Sequence, residues 1–192
     1  SLRRAFNAAW TPARYQAFCE ALRARVRVPI EFPVSETPCF FPRSLIDGLA
    51  AAGEDLTRQS MSGEAGRAAE SVVPEHFRGP GEGDTPLFVQ VDFGLVRDAH
   101  GIVEPRLVEL QAFPSLYGFQ LALADAYAAA FELPESLERH AGGLDRAGYL
   151  DVLRSVIVGT HDPAEVVLMG IEPARQKTRP DFEMTETVWG VR

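Results

Sequence analysis

Apolar residues recur at helical spacing over several stretches of the chain. Tyr15, Phe18, Cys19, Leu22 and Val26 follow Thr11-Pro12, a cap residue and a first-turn proline, and predict an amphipathic helix over 12–27. Four prolines within 28–42 predict an extended segment, and Pro42 starts a second helix ending near Gly53. Residues 54–74 read as helical with a weak pattern. After the turn Ser115-Leu-Tyr-Gly118, the residues Phe119, Leu123, Tyr127, Ala130 and Phe131 mark one face of a further helix. Asp145 caps the next one, whose face carries Tyr149, Leu150, Leu153, Val156 and Ile157 and which Gly159 ends. The unbroken apolar run from Glu165 to Ile171 has the look of a central parallel strand. Pro180 opens a last helix with Phe182, Thr185, Val188 and Trp189 on one side.

A period of two replaces the helical one in the middle of the chain. Phe88-Val-Gln-Val-Asp-Phe-Gly-Leu-Val96 and Pro105-Arg-Leu-Val-Glu-Leu-Gln-Ala112 are rich in strand formers, and Arg97-Asp-Ala-His-Gly101 between them has turn chemistry. A hairpin symmetric about that turn sets Asp92 opposite Glu109, with Gln111 on the face of Glu109. Two carboxylates opposed on a sheet repel, so the pattern points to a cation between them. Oxygen-only donors suit a hard ion such as magnesium. Carboxylates on a solvated strand face are the ordinary alternative.

The wording of the hairpin adds to this. Val91-Asp-Phe, a glycine-bearing turn and Leu107-Val-Glu-Leu-Gln-Ala-Phe-Pro114 resemble the metal-binding strand pair of ATP-grasp ligases, about one eighth of the chain. The resemblance implies that Asp92 and Glu109 hold the magnesium of ATP, with Gln111 in the place of the usual Asn and one methylene longer. The hairpin precedes the strand and helix of 165–189, the order of circularly permuted ATP-grasp proteins similar to glutathionylspermidine synthase. The implied fold is α+β or α/β: ATP-grasp-like antiparallel strands with packed helices, then the start of a parallel, Rossmann-like unit. The implied organisation is a helical region over 1–75, the metal hairpin with its helices over 76–160, and the beginning of a pre-ATP-grasp domain over 161–192. The implied activity is an ATP- and magnesium-dependent carboxylate-amine ligation through an acyl-phosphate. A second reading is a non-catalytic binding or scaffold module that keeps the hairpin.

Other signals narrow the classes. Net charge is −8 over 192 residues, which argues against a general nucleic-acid binder or a polybasic membrane surface. No apolar run approaches the roughly 20 residues that span a bilayer, and a cytoplasmic protein with two reduced, buried cysteines, Cys19 and Cys39, is expected. The four histidines lie singly, without metal-ligand spacing. Gly79-Pro-Gly-Glu-Gly83 reads as a plain loop. Glu172, Arg175, Gln176, Lys177 and Arg179 crowd the loop after the 165–171 strand, where open α/β sheets bind ligands, and are candidates to hold a small carboxylate or amine substrate; a solvated charged loop is the alternative. A strand-helix pair ending at Val191 lacks its second strand, so the chain reads as the front of a longer protein, and its open strand edge predicts self-association or poor order after about residue 160.

Overall fold

A computed structural model describes residues 1–80, 85–112 and 115–192. Among them seven α-helices and one antiparallel hairpin form, and no parallel sheet does. The chain divides into two compact units, one of residues 1–40 and 115–192 and one of residues 41–114. This division follows packing rather than sequence order, because the first helices are grouped with the last ones.

The first unit holds α1 (Leu2–Ala9), α2 (Pro12–Arg25), α5 (Tyr117–Ala130), α6 (Arg146–Ile157) and α7 (Arg179–Trp189). Thr11 caps α2 by accepting the Arg14 N–H at 3.2 Å. Asp145 caps α6 by accepting the Gly148 N–H at 2.7 Å. The core gathers Phe6, Phe18, Leu22, Val26, Phe119, Ala126, Tyr127 and Phe131. Phe18, with no exposed surface, stacks on Tyr127 at a centroid distance of 4.2 Å. The extended segment after α2 covers this core through Ile30, Phe32 and Val34, and the Tyr127 hydroxyl donates to the Ser35 carbonyl. Burial pushes the Tyr127 phenol up to about 12.

The most unusual packing is between α5 and α7. Asp181 is buried, and its carboxylate accepts the backbone N–H of Leu116 at 2.8 Å and of Phe119 at 2.9 Å. Leu116 stands before α5 in the left-handed region (φ 74°) and offers no side-chain cap. Asp181 therefore does the capping from another helix, where the positive end of the α5 dipole favours a carboxylate. A Cβ on Gly118 would lie 3.2 Å from both Asp181 Oδ1 and Thr185 Oγ1, so glycine is what allows this approach. Glu183, also on α7 and buried, accepts the Arg27 N–H at 3.2 Å and the Thr187 hydroxyl at 3.0 Å.

The run 165–171 departs from the expected strand. A 3-10 turn takes Pro163–Glu165, Val166 is extended, and Val166 to Gly170 belong to no helix or sheet. Val167, Met169 and Ile171 are 63%, 81% and 88% exposed. A central strand needs a ladder on both edges and cover on both faces. Here the ladder is one rung: the Arg192 N–H donates to the Val166 carbonyl at 3.0 Å and the Leu168 N–H to the Arg192 carbonyl at 2.6 Å. That is the bond pattern of a parallel pair. Cys39 also differs from expectation, being exposed, because it sits in the proline-rich segment rather than on a helix face; Cys19 is half-buried, and both are free thiols.

The second unit holds α3 (Arg43–Met61), α4 (Gly63–Val72), β1 (Gln90–Arg97) and β2 (Val103–Gln111). Helix α3 runs past Gly53, the expected end; Gly53 faces β1, where a Cβ would stand at ordinary contact distance, 3.5 Å, from Val91 Cγ2. Gly53 is the one fully buried residue among those described in this unit.

Candidate functional site

The hairpin turn is built by Asp98. Its Oδ1 accepts the N–H of His100 at 2.9 Å and of Ile102 at 2.7 Å, and Gly101 takes the left-handed conformation (φ 82°) that closes the turn. His100 is exposed in it, as its position implies.

From the turn outward the strands pair Arg97 with Val103, Leu95 with Pro105 and Phe93 with Leu107. Continued without interruption, that register sets Asp92 opposite Val108 and turns Glu109 to the other face. A β-bulge intervenes between Asp92 and Phe93, Val108 has no partner, and Asp92 pairs with Glu109. A one-residue shift exchanges the faces of every residue beyond it. The bulge is therefore what brings the two carboxylates to one face. Gly94 lies beside it, and a Cβ there would touch Val108 Cγ2 at 3.4 Å, about van der Waals contact.

Gln90 pairs with Gln111 beyond the carboxylates, which completes a face of two acids and two amides. The Gln90 amide donates to Asp92 Oδ1 at 3.0 Å, and the Gln111 amide donates to Glu109 Oε1 at 3.0 Å. Gln90 escaped the sequence reading, although its position two residues before Asp92 mirrors that of Gln111 after Glu109. Asp92 is half-buried and Glu109 exposed. All four side chains offer hard oxygen donors, a set that fits magnesium or calcium once each amide turns its carbonyl oxygen inward. Among the described residues no group of three or more His, Cys, Asp or Glu is placed to hold a metal. The site thus consists of two carboxylates with amide support.

Asp92 also lines an open groove of about 900 Å³ between α3 and β1. Ile46, Leu49, Val91, Phe93 and Leu95 make its walls apolar, and Glu54 and Arg58 lie along it. Val91 faces α3 across this groove, and alternation turns the Asp92 side chain to the opposite face of the strand.

The loop candidates belong to the other unit. Glu172 is in the left-handed region (φ 48°) and pairs with Arg175 at 3.3 Å. The Gln176 amide donates to the Ile171 carbonyl at 2.8 Å, and its oxygen accepts the Thr178 hydroxyl at 3.3 Å. Lys177 and Arg179 are exposed. Much of the loop's polarity is thus spent within it. Pro114 and part of the loop Gly79-Pro-Gly-Glu-Gly83 lie outside the described residues.

Family models, characterised proteins and solved structures were each compared with this chain, and none matches. No helix among the described residues is long and apolar enough to cross a membrane.

Proposed function

We propose that the hairpin is the cation-binding strand pair of an ATP-dependent ligase of the ATP-grasp type. The observation that carries this is the bulge at Val108, which sets Asp92 against Glu109 on one face. Bulges are over-represented beside active sites, where they re-aim a side chain. An opposed carboxylate pair costs repulsion that a bound divalent ion removes. Asp92 and Glu109 are its primary ligands, with the oxygens of Gln111 and Gln90 in support. The ion, when bound, neutralises charge on the phosphate oxygens of ATP. The chain's own residues orient it. The reaction class is activation of a carboxylate as an acyl-phosphate and its capture by an amine, as the resemblance implies.

The order of the chain supports the permuted form of that family. The hairpin comes first, and the segment with the parallel bond pair, Val166 and Leu168 with Arg192, comes after it. Glu172, Arg175, Gln176, Lys177 and Arg179 are the proposed substrate loop of that second part. A non-catalytic module is the other reading, favoured by the exposure of Glu109 and by a set of only two carboxylates.

Titration with magnesium, followed by NMR of the Gln90 and Gln111 side-chain amides, tests the proposal. Saturable shifts that vanish in Asp92→Asn and Glu109→Gln are expected. Glu109→Gln itself should leave the hairpin as stable or stabilise it by roughly 0.2–1 kcal/mol, since it removes the opposed charge. Amide signals indifferent to magnesium, or unchanged shifts in both variants, reject the metal site. Magnesium binding without any ATP affinity in the same protein favours the non-catalytic module.

A further inference from the structure

A second cleft lies wholly within the first unit and owes nothing to the hairpin. It has a volume of about 560 Å³, between the extended segment 35–40, one side of α5, the connection 133–141 and Tyr149 of α6. Its size falls in the range of small-molecule sites. Leu123, Ala124, Tyr127, Leu133 and Leu137 give it an apolar lining. The polar groups of its two tyrosines are committed elsewhere. The Tyr127 hydroxyl donates to the Ser35 carbonyl, and the Tyr149 hydroxyl donates to the Tyr117 carbonyl at 2.9 Å. Burial pushes both phenols up to about 12, so neither supplies charge.

The cationic side chain in the lining is Arg139, which keeps a long ion pair with Asp125. Arg146 holds Asp125 Oδ2 at 3.0 Å with a hydrogen bond, whereas Arg139 stands 3.9 Å from Oδ1, beyond hydrogen-bond reach. Arg139 thus lines the cleft with its guanidinium donors not hydrogen-bonded to Asp125. Next to it the His140 ring stacks on Tyr149 at 4.4 Å and 17°. Burial first, and then the charge of Arg139, hold its pKa below the usual value, with Asp125 and Asp145 opposing and Arg146 assisting. Neutral imidazole and flat phenol together extend the apolar wall up to the guanidinium. Glu138, exposed at the rim, is the one acid in the lining.

We infer that this cleft binds a small hydrophobic carboxylic acid, its hydrocarbon or aromatic body against Leu123, Tyr127 and Leu137 and its carboxylate on Arg139. A guanidinium above an apolar floor recognises this class through charge-assisted, bidentate bonds.

The test uses the full chain and 4-phenylbutyrate as probe, with 4-phenylbutylamine and 4-phenylbutanol as controls. Binding is read by calorimetry and by NMR of the His140 imidazole. Saturable binding of the acid is expected, tighter than that of either control. Arg139→Gln should weaken it by about tenfold or more, the usual scale for losing a charge-assisted pair, while Arg14→Gln, outside the cleft, leaves it unchanged. A carboxylate beside the ring favours imidazolium, so the bound acid should raise the His140 titration point, and a purely structural Arg139 would not produce that shift. The inference is overturned if the acid does not saturate across the millimolar range. It is equally overturned if the amine binds as well as the acid, which would make Glu138 the anchoring charge, or if Arg139→Gln binds like the parent.

Discussion

Removing the Asp181 carboxylate should loosen the joint between α5 and α7. In the native protein it accepts the N–H groups of Leu116 and Phe119 at 2.8 and 2.9 Å. Hydrogen bonds to a charged group contribute about 1.5–3 kcal/mol each, and a buried donor left unpaired costs about 1–3 kcal/mol. Against this stands the cost of burying the carboxylate, which raises its pKa above the usual 3.8 even though the backbone N–H groups of Phe119, Leu116 and Gly118 pull it down. The net expectation for Asp181→Ala is a loss of about 2–4 kcal/mol. For a chain of this length that corresponds to a fall in Tm of roughly 4–16 °C. Asp181→Asn keeps one acceptor and should lose about half as much. Urea unfolding, followed by tryptophan fluorescence because Trp189 lies buried on α7, measures both. The raised pKa has a signed consequence. Between 3.8 and the higher folded value the native state binds more protons than the unfolded state, so this group's contribution to stability falls as pH rises through that window and is level above it. The difference between the parent and Asp181→Asn should carry that slope. An alanine variant within about 0.5 kcal/mol of the parent, the ordinary scatter of surface substitutions, would refute the capping role.

Gly118→Ala tests the same joint from the other side. The added methyl would meet Asp181 Oδ1 and Thr185 Oγ1 at 3.2 Å and Met184 Cβ at 3.4 Å, so a loss of about 1–3 kcal/mol is expected by urea unfolding. Phe18→Ala removes a side chain with no exposed surface that stacks on Tyr127, and should cost about 3–5 kcal/mol, read by the same unfolding experiment together with near-UV circular dichroism of the tyrosines.

Much of the helical part was legible because it is local. Thr11, Pro12 and the spacing of Phe18, Leu22 and Val26 specify α2 with its cap and its buried side. Asp145 and the pattern to Ile157 do the same for α6. The buried side of α7 was only partly legible. Met184, Thr185 and Trp189 are buried, but so are Asp181 and Glu183, which a hydrophobic pattern assigns to water. Their partners, Leu116, Phe119 and Arg27, lie 65, 62 and 156 residues away in the chain, and no local signal marks such pairs.

The candidate site divides the same way. Alternating residues and a turn containing Asp98 and Gly101 determine a hairpin, and the symmetry of its arms suggested the right carboxylate pair. Pairing alone decides why they meet, because the regular register from the turn would separate them and the bulge at Val108 over Gly94 restores them to one face. An apolar run shows a similar limit at 166–171. Composition determines that the segment is β-prone, whereas a strand exists only where a neighbour supplies hydrogen bonds, and here the described residues supply one rung from Arg192. Sequence thus determined the elements that close their own hydrogen bonds, namely the helices, their caps and the turn. Tertiary structure decided register, buried charge and sheet membership, because each depends on groups that the chain brings together only on folding.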